Sequence, residues 1–210
     1  MRDRRNTRTP ATDKRASLAS RYNQRVSVIK VGLIADTHVP DRRLRLRPQV
    51  LQVFADAKVS QILHAGDISV PRVLAELAEV APVLAVRGNR DWFGFSDLPM
   101  SRIVPVGDVK VGMTHGHLNW PAYVRDKLRY LWSRKPYAFE YYTERAAKEM
   151  NGVDAVVLGH NHEPLIGHAD GKLVINPGSA CCQVLPGKPP SVGLLHVDGE
   201  QMHAEIVYLE

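Results

Sequence analysis

Apolar positions along the chain fall into short runs whose spacing changes character midway. Residues 28–35 alternate and then run apolar, as a buried strand does, and the run stops at Asp36-Thr37-His38. Pro48 opens a helical stretch in which Leu46, Val50, Val53, Phe54 and Ala57 share one stripe. Residues 61–65 form the next strand, ending at Gly66-Asp67, and Ser69 is read as the N-cap of a helix whose Val70, Leu74, Leu77 and Ala78 line one face. Residues 82–86 follow as a strand ending at Gly88-Asn89. This strand–helix alternation calls for parallel strands joined by right-handed crossovers.

Past that point the pattern differs. Gly107-Asp108, Asp170-Gly171 and Asp198-Gly199 each separate apolar runs in the manner of hairpin turns, so the sheet is expected to become mixed or antiparallel. Residues 118–150 carry two helical patterns, Val124/Leu128/Leu131/Trp132 and then Phe139/Tyr142/Ala146/Met150. Eight of the chain's fourteen aromatics lie in this stretch: Trp120, Tyr123, Tyr130, Trp132, Tyr137, Phe139, Tyr141 and Tyr142. The segment is expected to shape substrate access or a subunit contact in a homo-oligomer, the alternative being that its rings pack two helices onto the sheet.

Composition narrows the class. With 210 residues, 44% apolar and 24% charged, the chain is globular rather than disordered or fibrous. No apolar run reaches the length of a membrane span and no secretory apolar region follows the basic start, so a cytoplasmic protein without a membrane partner is expected. The net charge of +6 resides in residues 1–25, where eight cationic side chains face only Asp3 and Asp13, and residues 26–210 are neutral overall. Those first 25 residues read as a disordered basic tail, and 26–210 as one domain. The tail could touch nucleic acid, but the neutral body lacks the positive face of a phosphate-tracking groove. Adjacent Cys181 and Cys182 form no disulfide framework and lack zinc-knuckle spacing, and they read as small buried residues.

Chemistry concentrates at the strand ends. Asp36 and His38 follow the first strand, Asp67 the second and Asn89 the third, while His115, His160 and His162 follow strands of the second half. In an open α/β sheet ligands bind beyond the carboxyl ends of the strands, so these residues should converge on one rim. Asp-x-His and His-x-His on an extended backbone would turn both side chains toward one ion, and glycines 66, 88 and 159 would let the chain turn sharply. Two carboxylates, four imidazoles and an amide suit Mn, Fe, Zn or Ni, and seven donors exceed what one ion with an open position takes. Two divalent transition-metal ions, with manganese the first choice, are the economical solution.

Six blocks at these positions resemble the calcineurin-like metallophosphoesterases, in particular the small single-domain branch that includes phosphodiesterases and the retromer scaffold subunit. They are Ile34-Ala35-Asp36-Thr37-His38, His64-Ala65-Gly66-Asp67, Arg87-Gly88-Asn89-Arg90-Asp91, Thr114-His115-Gly116-His117, Leu158-Gly159-His160-Asn161-His162 and Asn176-Pro177-Gly178-Ser179, and they occur in family order. The resemblance implies a four-layer α/β/β/α sandwich of two mixed sheets flanked by helices. It also implies that Asp36, His38, Asp67 and His162 hold one ion and Asp67, Asn89, His115 and His160 the other, with Asp67 bridging and Asn89 also reaching the substrate phosphate. A bridging hydroxide would then attack phosphorus in a phosphate-ester substrate, a diester before a monoester.

The chain departs from larger family members at position 90, where their histidine is replaced by Arg90. A guanidinium cannot protonate a leaving group at neutral pH, so Arg90 is expected to supply fixed charge, with His117 the other residue placed near the reaction. His117 and Asp91 are expected to orient a ligand or contact substrate rather than bind metal. His64, His168, His196 and His203 are read as ordinary strand or surface histidines, and Asn176-Pro177-Gly178-Ser179 as a turn beside the rim. The competing functions are a non-catalytic scaffold on the same fold, a phosphomonoesterase and a nuclease.

Overall fold

A computed structural model describes residues 28–91, 94–117, 120–133, 139–181 and 189–209. The basic tail, Cys182, Tyr137 and the side chains of Trp120 and Phe139 lie outside the described residues. In chain order β1 (Ile29–Ile34), α1 (Pro48–Ala57), β2 (Gln61–His64), α2 (Arg72–Ala78) and β3 (Val83–Ala85) make the expected parallel unit. Then come β4 (Ser101–Val106), β5 (Val109–Thr114), α3 (Trp120–Ser133), α4 (Phe139–Glu149), β6 (Ala155–Val157), β7 (Leu165–Ala169), β8 (Lys172–Asn176), β9 (Ser191–Asp198) and β10 (Gln201–Tyr208).

Two mixed sheets result, ordered β10-β9-β1-β2-β3 and β4-β5-β6-β8-β7. Strand alternation explains how they stack. Val31, Leu33 and Leu63 of the first sheet face Val111, Met113, Val157 and Ile175 of the second across the central core. On the outer side of the first sheet, Ile34 and Ile62 pack against Val50 and Phe54 of α1 and Val73 and Leu77 of α2. Val156 and Val174 meet Ala146 and Ala147 of α4, and Met150 just past its end, on the outer side of the second. The four-layer α/β/β/α arrangement is the expected one. Burying each large apolar side chain contributes about 1.5–3 kcal/mol, and Phe54, Leu33 and Ile62 are fully buried.

Local signals mostly set the boundaries. Pro48 stands in the first turn of α1, and Lys58, at φ 55°, closes it by donating its N–H to the carbonyls of Ala55 and Phe54. Asp170 and Gly171, both left-handed at φ 52° and 73°, make the two-residue turn between β7 and β8. Asp198 pairs with Gln201, so the last turn is Gly199-Glu200, one residue beyond the sequence reading. The helix expected after Ser69 begins only at Arg72. Pro71 disfavours helical backbone at Val70, and Ser69 sits at φ 74° with its N–H given to Asp91.

Helix α3 sits with its apolar side outward. Val124, Leu128, Leu131 and Trp132 are 38%, 61%, 60% and 93% exposed, so the stripe read as helical packing does not pack this helix onto the protein. Its inward side carries Ala122 and Asp126, and Asp126 Oδ2 accepts from Arg145 Nη1 of α4 at 2.8 Å. Among the described residues no helix is long and apolar enough to cross a membrane.

Candidate metal centre

The loops leaving β1, β2 and β3 of one sheet and β5 and β6 of the other gather at one rim. They are tied to one another through backbone groups. Asp36 donates its N–H to Gly66 O at 3.0 Å and His38 its N–H to Asp67 O at 3.2 Å. His160 N–H donates to Asp36 Oδ2 at 3.0 Å, and Arg90 N–H to Asp67 Oδ1 at 2.8 Å. Asp91 joins the loops after β2 and β3, its Oδ1 accepting from Ile68 and Ser69 and its Oδ2 from Gly88, each at 2.8 Å. Ser179 Oγ donates to Asp36 O at 2.9 Å, which puts the Asn176-Pro177-Gly178-Ser179 turn beside the rim as expected.

The backbone there is not extended. Asp36, His38, Asp67, His160 and His162 all have positive φ, between 47° and 77°. Left-handed backbone costs a non-glycine residue about 1–2 kcal/mol, and such residues cluster where geometry serves a site. This corrects the reading of Asp-x-His and His-x-His as pleated pairs. Asp36 and His38 do meet, with His38 Nε2 3.6 Å from Asp36 Oδ1, but His160 and His162 diverge. His162 Nε2 approaches His38 Nε2 at 3.1 Å and Asp36 Oδ1 at 3.2 Å, whereas His160 Nδ1 approaches Asn89 Oδ1 at 2.9 Å. Of the three glycines, Gly66 turns at φ 93°, while Gly88 and Gly159 serve close approach instead. A Cβ on Gly159 would lie 2.8 Å from Asp36 Oδ2.

Two donor groups emerge. Asp36, His38 and His162 form one, and Asp36, Asp67 and His115 the other, with ligand atoms in each within 4.8 Å of one another. Asp67 reaches toward both, with Oδ2 3.8 Å from His38 Nε2 and Oδ1 3.4 Å from His115 Nε2. His115 Nε2 also lies 3.2 Å from Asn89 Oδ1, while its Nδ1 donates to Ala65 O at 2.8 Å and fixes the ring. Imidazole nitrogens and carboxylate oxygens crowded around shared points, with the buried Asp36 Oδ1 facing the Nε2 atoms of both His38 and His162, suit divalent cations with nitrogen and oxygen ligands.

Electrostatics in the metal-free chain follow from this crowding. Burial pushes the Asp36 carboxyl up, but His162 beside it overrides burial and holds it well below the usual range. Asp67, also buried, is brought down to about 2 by His115. His115 is resisted by burial yet raised to about 9 by Asp67. Burial and the neighbouring His115 push His160 down to about 3 and His117 to about 4. Metal binds only neutral imidazole, so an ion entering beside His115 must expel its proton at any pH below about 9. Metal affinity is therefore expected to rise about tenfold per pH unit between pH 7 and 9, with proton release on binding. Calorimetric metal titrations in buffers of different protonation enthalpy check this, and a pH-independent affinity over that window contradicts it.

The remaining residues take distinct places. Arg90 is half-exposed on the rim with Nη1 3.6 Å from Asp41 Oδ2, and its backbone amide holds Asp67. His117 is buried, its ring 5.3 Å from that of His115 and 6.3 Å from that of Tyr123. Tyr123 of α3 and Tyr142 of α4 flank His160 at 6.1 and 5.6 Å between ring centroids. His168 and His203 are exposed strand residues and His196 pairs with Glu205 at 3.0 Å. His64 is less ordinary than its strand position suggested. It is fully buried behind the Asp36 loop, with Nδ1 accepting from Gly66 N–H at 3.2 Å and Nε2 3.3 Å from Thr37 Oγ1. Asp91 orients the donor loops rather than binding metal, in line with its expected role, and it does so through backbone amides, as an Asp three residues past a strand-end glycine can.

A four-layer sandwich carrying mixed Asp, His and Asn donors at the ends of strands from both sheets defines a metal-dependent phosphoesterase class. The family model described as the calcineurin-like phosphoesterase superfamily domain matches residues 29–200, and the chain belongs to that family. A probable metallophosphoesterase of Methanothermobacter thermautotrophicus is 36% identical over 177 residues, 84% of this chain and 91% of that protein. A phosphodiesterase of Methanocaldococcus jannaschii is 29% identical over 195 residues, 85% of this chain and 99% of that one. In structure, Vps29 of Entamoeba histolytica complexed with zinc superposes with a TM-score of 0.58 at 21% identity, covering 86% of this chain and 99% of that one.

Proposed function

We propose that the chain hydrolyses phosphodiesters at a two-ion centre held by Asp36, His38, Asp67 and His162 on one side and Asp67, Asn89, His115 and His160 on the other. The observation that carries this reading is the pair of donor groups that share Asp36, with Asp67 reaching toward both. Divalent ions bound there, manganese before zinc, nickel or iron, would activate water and neutralise phosphoryl charge. The chain's own contribution is positional. Asp91 locks two donor loops together, the Arg90 amide aims Asp67, and Ala65 O orients His115. Tyr123, His117 and Arg90 border the space where the ester would lie. A cytoplasmic setting goes with this reading.

The test is metal analysis of purified protein joined to turnover of an aryl phosphodiester and the matching monoester, with Mn, Ni, Zn or Mg added. Two ions per chain and faster diester turnover support the proposal. Metal-free protein that stays inactive after repletion would point instead to a protein-binding scaffold on the same fold.

Arg90 sets a second expectation. Fixed charge can steady phosphoryl oxygens but delivers no proton, and general acid catalysis is worth about 10²–10⁴-fold. Diesters with alkyl leaving groups should therefore turn over about a hundredfold slower than nitrophenyl ones, and Arg90→His should narrow that gap. A flat series in the wild type would mean that another residue delivers the proton, His117 being the first to test.

A further inference from the structure

Among the described residues, the apolar stripe of α3 packs the helix onto nothing. At about 100° per residue, Val124, Leu128, Leu131 and Trp132 occupy an arc of about 100°, and the buried Ala122 and Asp126 lie on the opposite side. Lys127 flanks the stripe on one edge, Arg125 and Arg129 on the other. The helix's single carboxylate, Asp126, is buried against Arg145, with Arg125 Nε also 3.6 Å from its Oδ1, so the outward side is apolar and its edges carry a net excess of cations from Lys127, Arg125 and Arg129.

Charge and area select the occupant. A second copy meeting this face through its own α3 would set cationic edge against cationic edge. The stripe is also only four apolar side chains, against about 20–30 residues a side in a stable protein pair. An anionic bilayer surface reverses both objections. It attracts the edges, and it takes up a short apolar stripe with an outstanding tryptophan without needing a complementary groove.

We propose that α3 is an interfacial anchor that lays Val124, Leu128, Leu131 and Trp132 into the surface of a bilayer containing anionic phospholipid, with its cationic edges against the headgroup phosphates. A helix lying in the plane of the interface needs no spanning length, so the shortness of the chain's apolar runs does not oppose it. Tyr123, the neighbour of Val124, stands 6.1 Å from His160 and 6.3 Å from His117 by ring centroids, so anchor and metal rim share one wall. Docking through α3 brings that rim close to a surface rich in phosphodiesters. Only this catalytic consequence rests on the phosphoesterase reading; the docking does not.

The test uses the full chain, so that the basic residues 1–25 are present in every sample. Wild type and the triple variant Leu128→Ser/Leu131→Ser/Trp132→Ser, equal in charge, are sedimented with vesicles of phosphatidylcholine alone or mixed with phosphatidylglycerol. The wild type should pellet with the anionic vesicles, and the variant's partition should fall at least tenfold, with metal content and hydrolysis of a soluble aryl diester the same in both. The proposal is overturned if the wild type stays in the supernatant, or if both proteins pellet alike, which would assign binding to the tail. It is equally overturned if the wild type is a dimer without vesicles and the substitutions dissolve it, because the stripe's occupant is then a second copy.

Discussion

Asp67→Ala should lower turnover of an aryl phosphodiester by about a thousandfold or more and reduce the metal content of both donor groups. Asp67 stands between them, 3.4 Å from His115 and 3.8 Å from His38, so its loss should be felt on both sides, and an ion bound at either would supply several kcal/mol of charge stabilisation. Alanine also removes the acceptor of the Arg90 amide and must adopt φ 55°, which confuses charge with backbone strain. Asp67→Asn separates the two. Asparagine tolerates left-handed backbone and keeps an oxygen for Arg90, yet carries no charge. Metal content and rate should fall in both variants, while thermal stability should fall more in the alanine one. An asparagine variant that kept two ions and a near-normal rate would remove Asp67 from its proposed place between the ions.

Gly88→Ala should be among the most damaging single methyl groups at the described glycines. A Cβ at position 88 would lie 2.2 Å from both the backbone N and Oδ1 of Asp67. Neither side can retreat easily. Gly88 N–H is held by Asp91 Oδ2, and the same carboxylate holds the loop after β2 through Ile68 and Ser69. Overpacking usually costs about 1–3 kcal/mol, and a clash against clamped backbone belongs at or above the top of that range. For a domain of this size about 3 kcal/mol lowers Tm by roughly 6–12 °C. Gly152→Ala is the control, since Gly152 has φ 69° but nothing within 4 Å of the added carbon. It should cost only about 1 kcal/mol, the backbone price of a left-handed alanine. Equal melting of the two variants would show that the Asp67–Gly88 contact yields readily.

The parallel unit β1-α1-β2-α2-β3 is legible because strand and helix periodicities are intact there and each strand stops at a polar block. The same stops mark the donors, for a rim at the strand ends follows from the topology alone. What the pattern leaves open is pairing at a distance. Nothing in the β9 and β10 segments says that β9 returns to lie beside β1 with β10 at its outer edge, because alternation records which face is buried and not which strand is next. Backbone hand is equally hidden. Asp36, His38, His160 and His162 read as residues of an extended chain, and only the tertiary hydrogen bonds that hold these loops show them to be left-handed. Ser69 looked like a helix cap until the competing claim of Asp91 on its amide and the constraint from Pro71 are weighed together. Helix α3 shows a further limit, since an amphipathic stripe reveals that a face is apolar and not what lies opposite it.

The origin of the donors in two different sheets bears on how the molecule comes apart. Asp36, His38, Asp67 and Asn89 follow strands of one sheet, whereas His115, His160 and His162 follow strands of the other. Each three-residue donor group contains members from both, so an ion bound in either is a rivet through the sandwich. Without it the sheets are joined by the central core and by a few loop hydrogen bonds such as His160 N–H to Asp36 and His115 to Ala65 O, and partial openings that free one sheet should be accessible below the global unfolding energy. Loading the site to a hundred times its Kd would add about 2.7 kcal/mol to every opening that breaks it. Amide exchange should then slow in β5, β6 and β8 together with β1 and β2, turning two cooperative units into one.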